Sequence, residues 1–127
     1  MITVKGTFSS LSTDDLEKTK KFYSEIIGLK LDSDKMGLKF SLPGGGNLFI
    51  YPKENHKPAT FTVLNLVVTD IDKTVDELVT KGVTFEIYEG FKQDEKGIAR
   101  DPSGKSADAI AWFKDPAGNI LSIIQEK

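Results

Sequence analysis

Asp15-Leu16-Glu17-Lys18-Thr19 and Asp70-Ile71-Asp72-Lys73-Thr74 are near copies of each other, offset by 55 residues (70 − 15). Each phrase follows an extended run, Phe8 to Ser12 or Phe61 to Val68, and leads into an amphipathic stretch that stops at a glycine, Gly28 or Gly82. A second echo lies downstream. Gly46-Asn47-Leu48-Phe49-Ile50 matches Gly118-Asn119-Ile120-Leu121-Ser122 at an offset of 72 (118 − 46). The chain therefore reads as a single 127-residue domain built from two copies of one module, about 1–55 and about 58–127. Any site is expected between the copies.

Around the first phrase, residues 14 to 27 read as a helix. Asp14 is the expected N-cap and Glu17 completes a capping-box pattern. Leu16, Phe22, Tyr23, Ile26 and Ile27 recur near the helical period, and Gly28 supplies a left-handed stop. Residues 70 to 81 repeat this plan, with Asp70 as cap, Ile71, Val75 and Leu78 as the apolar stripe and Gly82 as the stop. Short strands fill the remainder. Leu38 to Leu42 and Asn47 to Tyr51 flank Pro43-Gly44-Gly45-Gly46, while Ala109 to Phe113 and Asn119 to Gln125 flank Asp115-Pro116-Ala117-Gly118. Gly28 to Leu31 and Val83 to Tyr88 are the expected strands leaving the helices. Gly90 to Asp108 is the longest irregular stretch, of a length that serves as a lid or binding loop or is simply mobile.

Composition narrows the function classes. A net charge of −2 gives no electrostatic case for nucleic acid or an anionic membrane. The Lys18, Lys20, Lys21 cluster has acidic neighbours and reads as a solvated helix face. The chain has no cysteine, which excludes disulfides, thiolate catalysis and zinc–sulfur sites. No apolar run reaches membrane-spanning length and no signal-peptide pattern opens the chain, so a cytoplasmic location is expected.

Two βαβββ units in this order resemble the vicinal oxygen chelate superfamily of glyoxalase I, bleomycin-resistance proteins, extradiol dioxygenases and fosfomycin-resistance enzymes. The resemblance is carried by Asp15-Leu16, Phe22-Tyr23 and Ile27-Gly28-Leu29, and by Val68-Thr69-Asp70-Ile71-Asp72, Leu78 and Lys81-Gly82-Val83. It is completed by Trp112-Phe113-Lys114-Asp115-Pro116-Ala117-Gly118-Asn119-Ile120-Leu121. It implies an α+β fold in which two βαβββ modules form a cup-shaped, half-open mixed β-sheet barrel with helices outside. It also implies a homodimer, for which edge strands offer a route. Strand alternation then assigns the cup-facing side chains: Phe8, Ser10 and Ser12; Leu48 and Ile50; Val63, Asn65 and Val67; Ile120, Ser122 and Ile124.

Metal-dependent members of that superfamily place their first ligand seven residues before the helix-opening Asp, and their last four residues after the turn glycine. Carried onto this chain, the four positions are Phe8, Val63, Ile50 and Ser122. Divalent ions need imidazole, carboxylate or thiolate donors, and none is present there. Neighbours Thr7, Ser9, Thr62, Leu64, Leu121 and Ile123 are no better, and the one histidine, His56, lies in a polar loop. No metal site and no cofactor are expected.

The first functional reading is a metal-free binder of a small apolar or aromatic molecule. Its cup would be lined by Phe8, Ile50, Val63, Ile120 and Phe61, with Ser10, Asn65 and Ser122 as polar groups and Trp112 as core or wall. Asn65 is the most informative polar residue, because it interrupts an otherwise apolar strand; a structural hydrogen bond to a neighbouring strand would also explain it. A cup filled by its own side chains is a further outcome. The second reading is a metal-independent enzyme of isomerase or lyase type, with Tyr51, Tyr88, Glu86 and Asp108 as candidate acids or bases. The third is a structural or regulatory partner protein.

Overall fold

The computed structural model describes residues 1–106 and 108–126, and its chain divides into two compact units, Met1–Lys57 and Pro58–Lys127. In unit 1, β1 (Ser9–Thr13) enters α1 (Leu16–Lys21), which continues as a π-helical stretch (Phe22–Ile27) and is followed by β2 (Lys30–Ser33), β3 (Leu38–Ser41) and β4 (Asn47–Pro52). The sheet order is β1-β4-β3-β2, with β1 parallel to β4 and the other pairs antiparallel. Unit 2 repeats the plan with β5 (Thr62–Val68), α2 (Ile71–Thr80), β6 (Ala99–Arg100), β7 (Ala109–Lys114) and β8 (Ile120–Gln125), in the order β5-β8-β7-β6. The fold is α+β, with two open four-stranded mixed sheets, one in each repeat. Among the described residues no helix is long and apolar enough to cross a membrane.

The repeated phrase works as a helix start in both units. Asp15 and Asp70 stand in extended conformation, and each carboxylate accepts the backbone N–H three residues on, from Lys18 and Lys73, at 3.1 Å. Asp15, not Asp14, is therefore the first cap, which keeps the 55-residue offset intact. The buried stripe of α2 is Ile71, Val75 and Leu78. In unit 1 the helix widens instead. The Gly28 and Leu29 N–H groups both donate to the Tyr23 carbonyl, at 3.1 and 2.9 Å. Phe22 and Tyr23, adjacent in sequence, are thereby both buried, and the Tyr23 ring meets Phe40 at 5.7 Å. Gly28 then takes a left-handed φ of 88° that stops the helix, as Gly82 does at 98°.

The Val83–Tyr88 stretch is not the strand its sequence suggests. It touches β7 through a single bridge, Phe85 to Phe113, and a 2.8 Å bond from the Glu86 N–H to the Trp112 carbonyl. The regular partner on that edge is β6, which arises inside the stretch expected to be irregular. At the β7–β8 turn, Asp115 is buried and organises the chain. Its Oδ1 accepts the Ala117 and Asn119 N–H groups, and its Oδ2 accepts the Asn119 side-chain amide, all at 2.9 Å. Loss of a buried carboxylate bonded this way leaves several donors unsatisfied. Asp115→Ala is expected to lower unfolding stability by about 2–4 kcal/mol, read from urea denaturation. An unchanged midpoint would show that the turn holds without it.

Candidate functional site

Gln125 shows which way β8 faces. Its side-chain carbonyl accepts the Ile71 N–H at the start of α2, at 2.8 Å, and α2 packs on β8 and β7. Leu121 and Ile123 share that parity and are buried, opposite Phe113 and Ala111 of β7. Ile120, Ser122 and Ile124 consequently face away from α2. Ser122 pairs with Asn65 on one side and with Trp112 on the other, so Asn65, Ser122 and Trp112 form one row across three strands. The Ser122 hydroxyl donates to Asn65 Oδ1 at 2.5 Å.

Trp112 carries two further rings. Tyr88 meets it edge-on, with centroids 5.5 Å apart at 73°, and Phe91 leans on it at 4.9 Å and 56°. Both come from the stretch between α2 and β7, where β6 pairs with β7 over two residues and polar contacts hold the part that carries the two rings. Gln93 accepts the Tyr88 N–H at 2.8 Å and donates to the Glu86 and Gly97 carbonyls at 2.9 and 2.8 Å. Asp94 accepts the Lys96 and Ile98 N–H groups at 2.9 Å and pairs with Arg100, which also reaches Asp72 at 2.8 Å. Phe91 remains 56% exposed and forms one wall of a cavity of about 590 Å³ with Lys92, Gln93, Ile98, Arg100 and Pro102.

The face is rich in unused donors. The Tyr88 hydroxyl is buried with no hydrogen-bond partner, the one such side-chain atom among the described residues. Burial pushes its pKa up, Glu86 adds to that rise, and Lys114 opposes it. The phenol therefore keeps its proton at neutral pH and stands as a donor. The Asn65 side-chain N–H₂ and the Trp112 indole N–H likewise donate to nothing among the described residues. At the rim the two charges are mutually compensated, with Lys114 Nζ 3.5 Å from Glu86.

The other sequence candidates fall in different surroundings. Phe8 is 67% exposed ahead of β1, its ring meeting Phe49 edge to face with centroids 6.4 Å apart, and Phe49 stacks on Tyr51 with centroids 6.2 Å apart. Ser10 pairs with Phe49, and Ser12 with Tyr51, so these residues share one face of the unit 1 sheet. Ile50 does not belong to it, and neither does Leu48. Both are fully buried on the opposite face with Leu38 and Phe40, the side that Tyr23 covers. The reason is register. Ser10 and Asn65 are equivalent by the 55-residue offset, and their partners are Phe49 and Ser122, so the late strands correspond at an offset of 73 (122 − 49), not 72. Val63 is half-buried at a bulge in the β5–β8 pairing. His56 is not a bare loop residue, since its Nδ1 lies 2.6 Å from the Ser12 hydroxyl. Asp108, a candidate acid, is exposed, and its backbone carbonyl accepts the Asp101 N–H at 3.1 Å.

The positions that hold a metal in the superfamily do not fit one in this chain. With the register corrected they are Phe8, Val63, Phe49 and Ser122; three have no donor atom, and the Ser122 hydroxyl is engaged with Asn65. Among the described residues no three His, Cys, Asp or Glu side chains gather closely enough to hold an ion. The residues that sequence reasoning missed are Phe49 and Phe91. Phe91 had one signal, as a lone aromatic ring in a polar stretch.

A model of the Glyoxalase/Bleomycin resistance protein/Dioxygenase superfamily matches residues 7–123. No curated protein matches the chain. Among solved structures, it is similar to TnmS3, an antibiotic binding protein from Streptomyces sp. CB03234, at 24% identity, with 100% of each chain covered and a TM-score of 0.71. A member of the same superfamily from Sphaerobacter thermophilus DSM 20745 is 24% identical, with 95% of this chain and 98% of that chain covered and a TM-score of 0.67. Lactoylglutathione lyase from Agrobacterium tumefaciens is 15% identical, with 97% and 95% covered and a TM-score of 0.69. At these identities the likeness is one of fold.

Asp94 offers a direct test of how the Phe91 segment is held. Burial pushes its carboxyl up, but the Ile98 and Lys96 N–H groups and the Arg100 guanidinium together outweigh that, and the net pKa lies below the ordinary aspartate range. Its stabilising contribution is therefore complete above the unfolded aspartate value of about 3.9 and is lost as pH falls through the lower folded value. Asp94→Ala is expected to cost about 1–2 kcal/mol at neutral pH, with the deficit shrinking in melts taken in strong acid. A deficit independent of pH would mean that the carboxylate charge does not hold the segment.

Proposed function

The chain belongs to the Glyoxalase/Bleomycin resistance protein/Dioxygenase superfamily, and from that premise we propose that it is a metal-independent binder of a small, flat, largely apolar molecule. The ligand lies on the unit 2 face formed by Asn65, Ser122 and Trp112 and flanked by Tyr88 and Phe91. The observation that carries this reading is the Tyr88 hydroxyl, buried against Trp112 without a partner. A folded protein does not ordinarily leave a buried donor unmade, because the lost hydration costs about 1–3 kcal/mol. A polar group on a bound molecule offsets that cost. Aromatic walls with a few polar groups are the usual composition of a small-molecule site.

The donor set also supports metal independence. Three of the four superfamily positions are Phe8, Val63 and Phe49, and no ligand exchange at those side chains can hold an ion. TnmS3, similar in fold, is an antibiotic binding protein; for this chain a binding role fits better than turnover. A proton-transfer step needs a base, and Tyr88, the candidate nearest Trp112, is held protonated. Glu86 is occupied by Lys114. We further propose a cytoplasmic homodimer as the working assembly.

Trp112 is the chain's single tryptophan, so its fluorescence reports the site directly. In a thermal-shift screen of planar aromatic compounds, hits are expected to raise the melting temperature and quench Trp112, and EDTA should change neither effect. One stoichiometric transition metal in natively purified protein, or stabilisation that disappears with chelator, would sink the metal-free reading. A broad screen in which no compound moves either signal would sink the binding reading.

A further inference from the structure

Resting on that binding reading, we infer that the ligand is a planar ring system bearing uncharged hydrogen-bond acceptors, of ring-carbonyl type, and that Tyr88 is the residue that selects for them. Three side chains on this face have donors to spare: Tyr88 O–H, Asn65 N–H₂ and the Trp112 indole N–H. No unengaged carboxylate or imidazole stands among them. The Asn65 carbonyl is taken by Ser122, and the Glu86 carboxylate is paired with Lys114. A molecule that settles here meets donors, so it must bring acceptors. A fully apolar ring would leave the Tyr88 hydroxyl as orphaned as before.

Geometry and charge narrow the class further. Asn65 and Trp112 sit on strands flanking β8, in one register row, and so stand about 9–10 Å apart, two strand spacings. That distance matches two or three fused rings lying flat along the row. Tyr88 and Trp112 meet edge to face and Phe91 tilts against the indole, which leaves Trp112 8% exposed and the Phe91 ring, 56% exposed, as the open aromatic surface. Glu86 and Lys114 cancel each other at the rim, so the face offers neither a net attraction for an anion nor one for a cation. An uncharged carbonyl meets these conditions; a carboxylate or phosphate finds no unpaired cation within the Asn65, Ser122 and Trp112 row.

A matched pair of probes tests this: 9-fluorenone, which carries one ring carbonyl, and fluorene, which has the same skeleton without it. Both are titrated against the wild-type chain and against Tyr88→Phe, with Trp112 fluorescence as the signal. Wild type should bind fluorenone about tenfold more tightly than fluorene, the effect of one buried hydrogen bond that the analogue cannot make. Tyr88→Phe should abolish the preference by weakening fluorenone binding about tenfold, to the level of fluorene. Equal binding of both probes by wild type, or a preference that survives in Tyr88→Phe, overturns the role of Tyr88 and leaves the binding reading standing. Failure of both probes to bind overturns the ligand class, and the broad screen then decides the binding reading separately. Without ligand, Tyr88→Phe should melt at the wild-type temperature or above it. A lowered melting temperature would show that the hydroxyl has a structural partner and would also overturn the inference.

Discussion

Unit 2 depends on two side chains of one strand, Leu121 and Ile123, being committed to the core beneath α2. A strand that sends those residues one way must send Ser122 the other way, because the side-chain period is two. Once β8 is fixed, pairing carries the constraint outward. The parallel partner brings Asn65 beside Ser122 and the antiparallel partner brings Trp112, with no freedom left to either. The polar row is therefore a by-product of where the apolar residues go. Asp115 adds a second anchor by fixing the turn that sets the β7–β8 register.

The same device in unit 1 produces a different surface. Leu48 and Ile50 are committed to the side that Tyr23 covers, so Phe49 and Tyr51 take the opposite face beside Ser10 and Ser12. Equivalent backbone positions thus carry Phe49 in one copy and Ser122 in the other, Ser10 in one and Asn65 in the other. The two copies share the caps and the pairing pattern and differ in their far-face residues. This is the expected division, because far-face residues are not required to pack under a helix.

The fold was legible because its signals are redundant. The Asp15 and Asp70 caps, the Gly28 and Gly82 stops and the Asp115 turn each mark a boundary by its own chemistry, and they agree in register. The second echo was less reliable, because a run of glycines, Gly44-Gly45-Gly46, offers no unique residue to align against Gly118. One residue of slip there moved the expected lining from Phe49 to Ile50, onto the other face of the sheet. Asn65, Ser122 and Trp112 could be read from alternation. Their mutual contact could not, since it needs the pairing of three strands. The Tyr88 and Phe91 contributions were hidden for a different reason. They depend on Gln93 and Asp94 tying an irregular segment by side-chain to backbone bonds, which leave no periodic trace.

The two copies also differ in length. Fifty-two residues separate Asp70 from Ser122, whereas thirty-four separate their counterparts Asp15 and Phe49. The surplus of eighteen accompanies the segment between α2 and β7, which supplies Tyr88, Phe91 and Gln93 along with the short β6. One copy of the module thus carries an appendage that the other lacks, attached to the sheet through an edge strand of two residues and a handful of polar ties. Ile98 within it is buried, so the appendage is seated in the apolar core as well as tied at the sheet edge. On the proposed binding reading, the rings that meet the ligand beside Trp112 lie on a segment for which the other copy of the module has no counterpart.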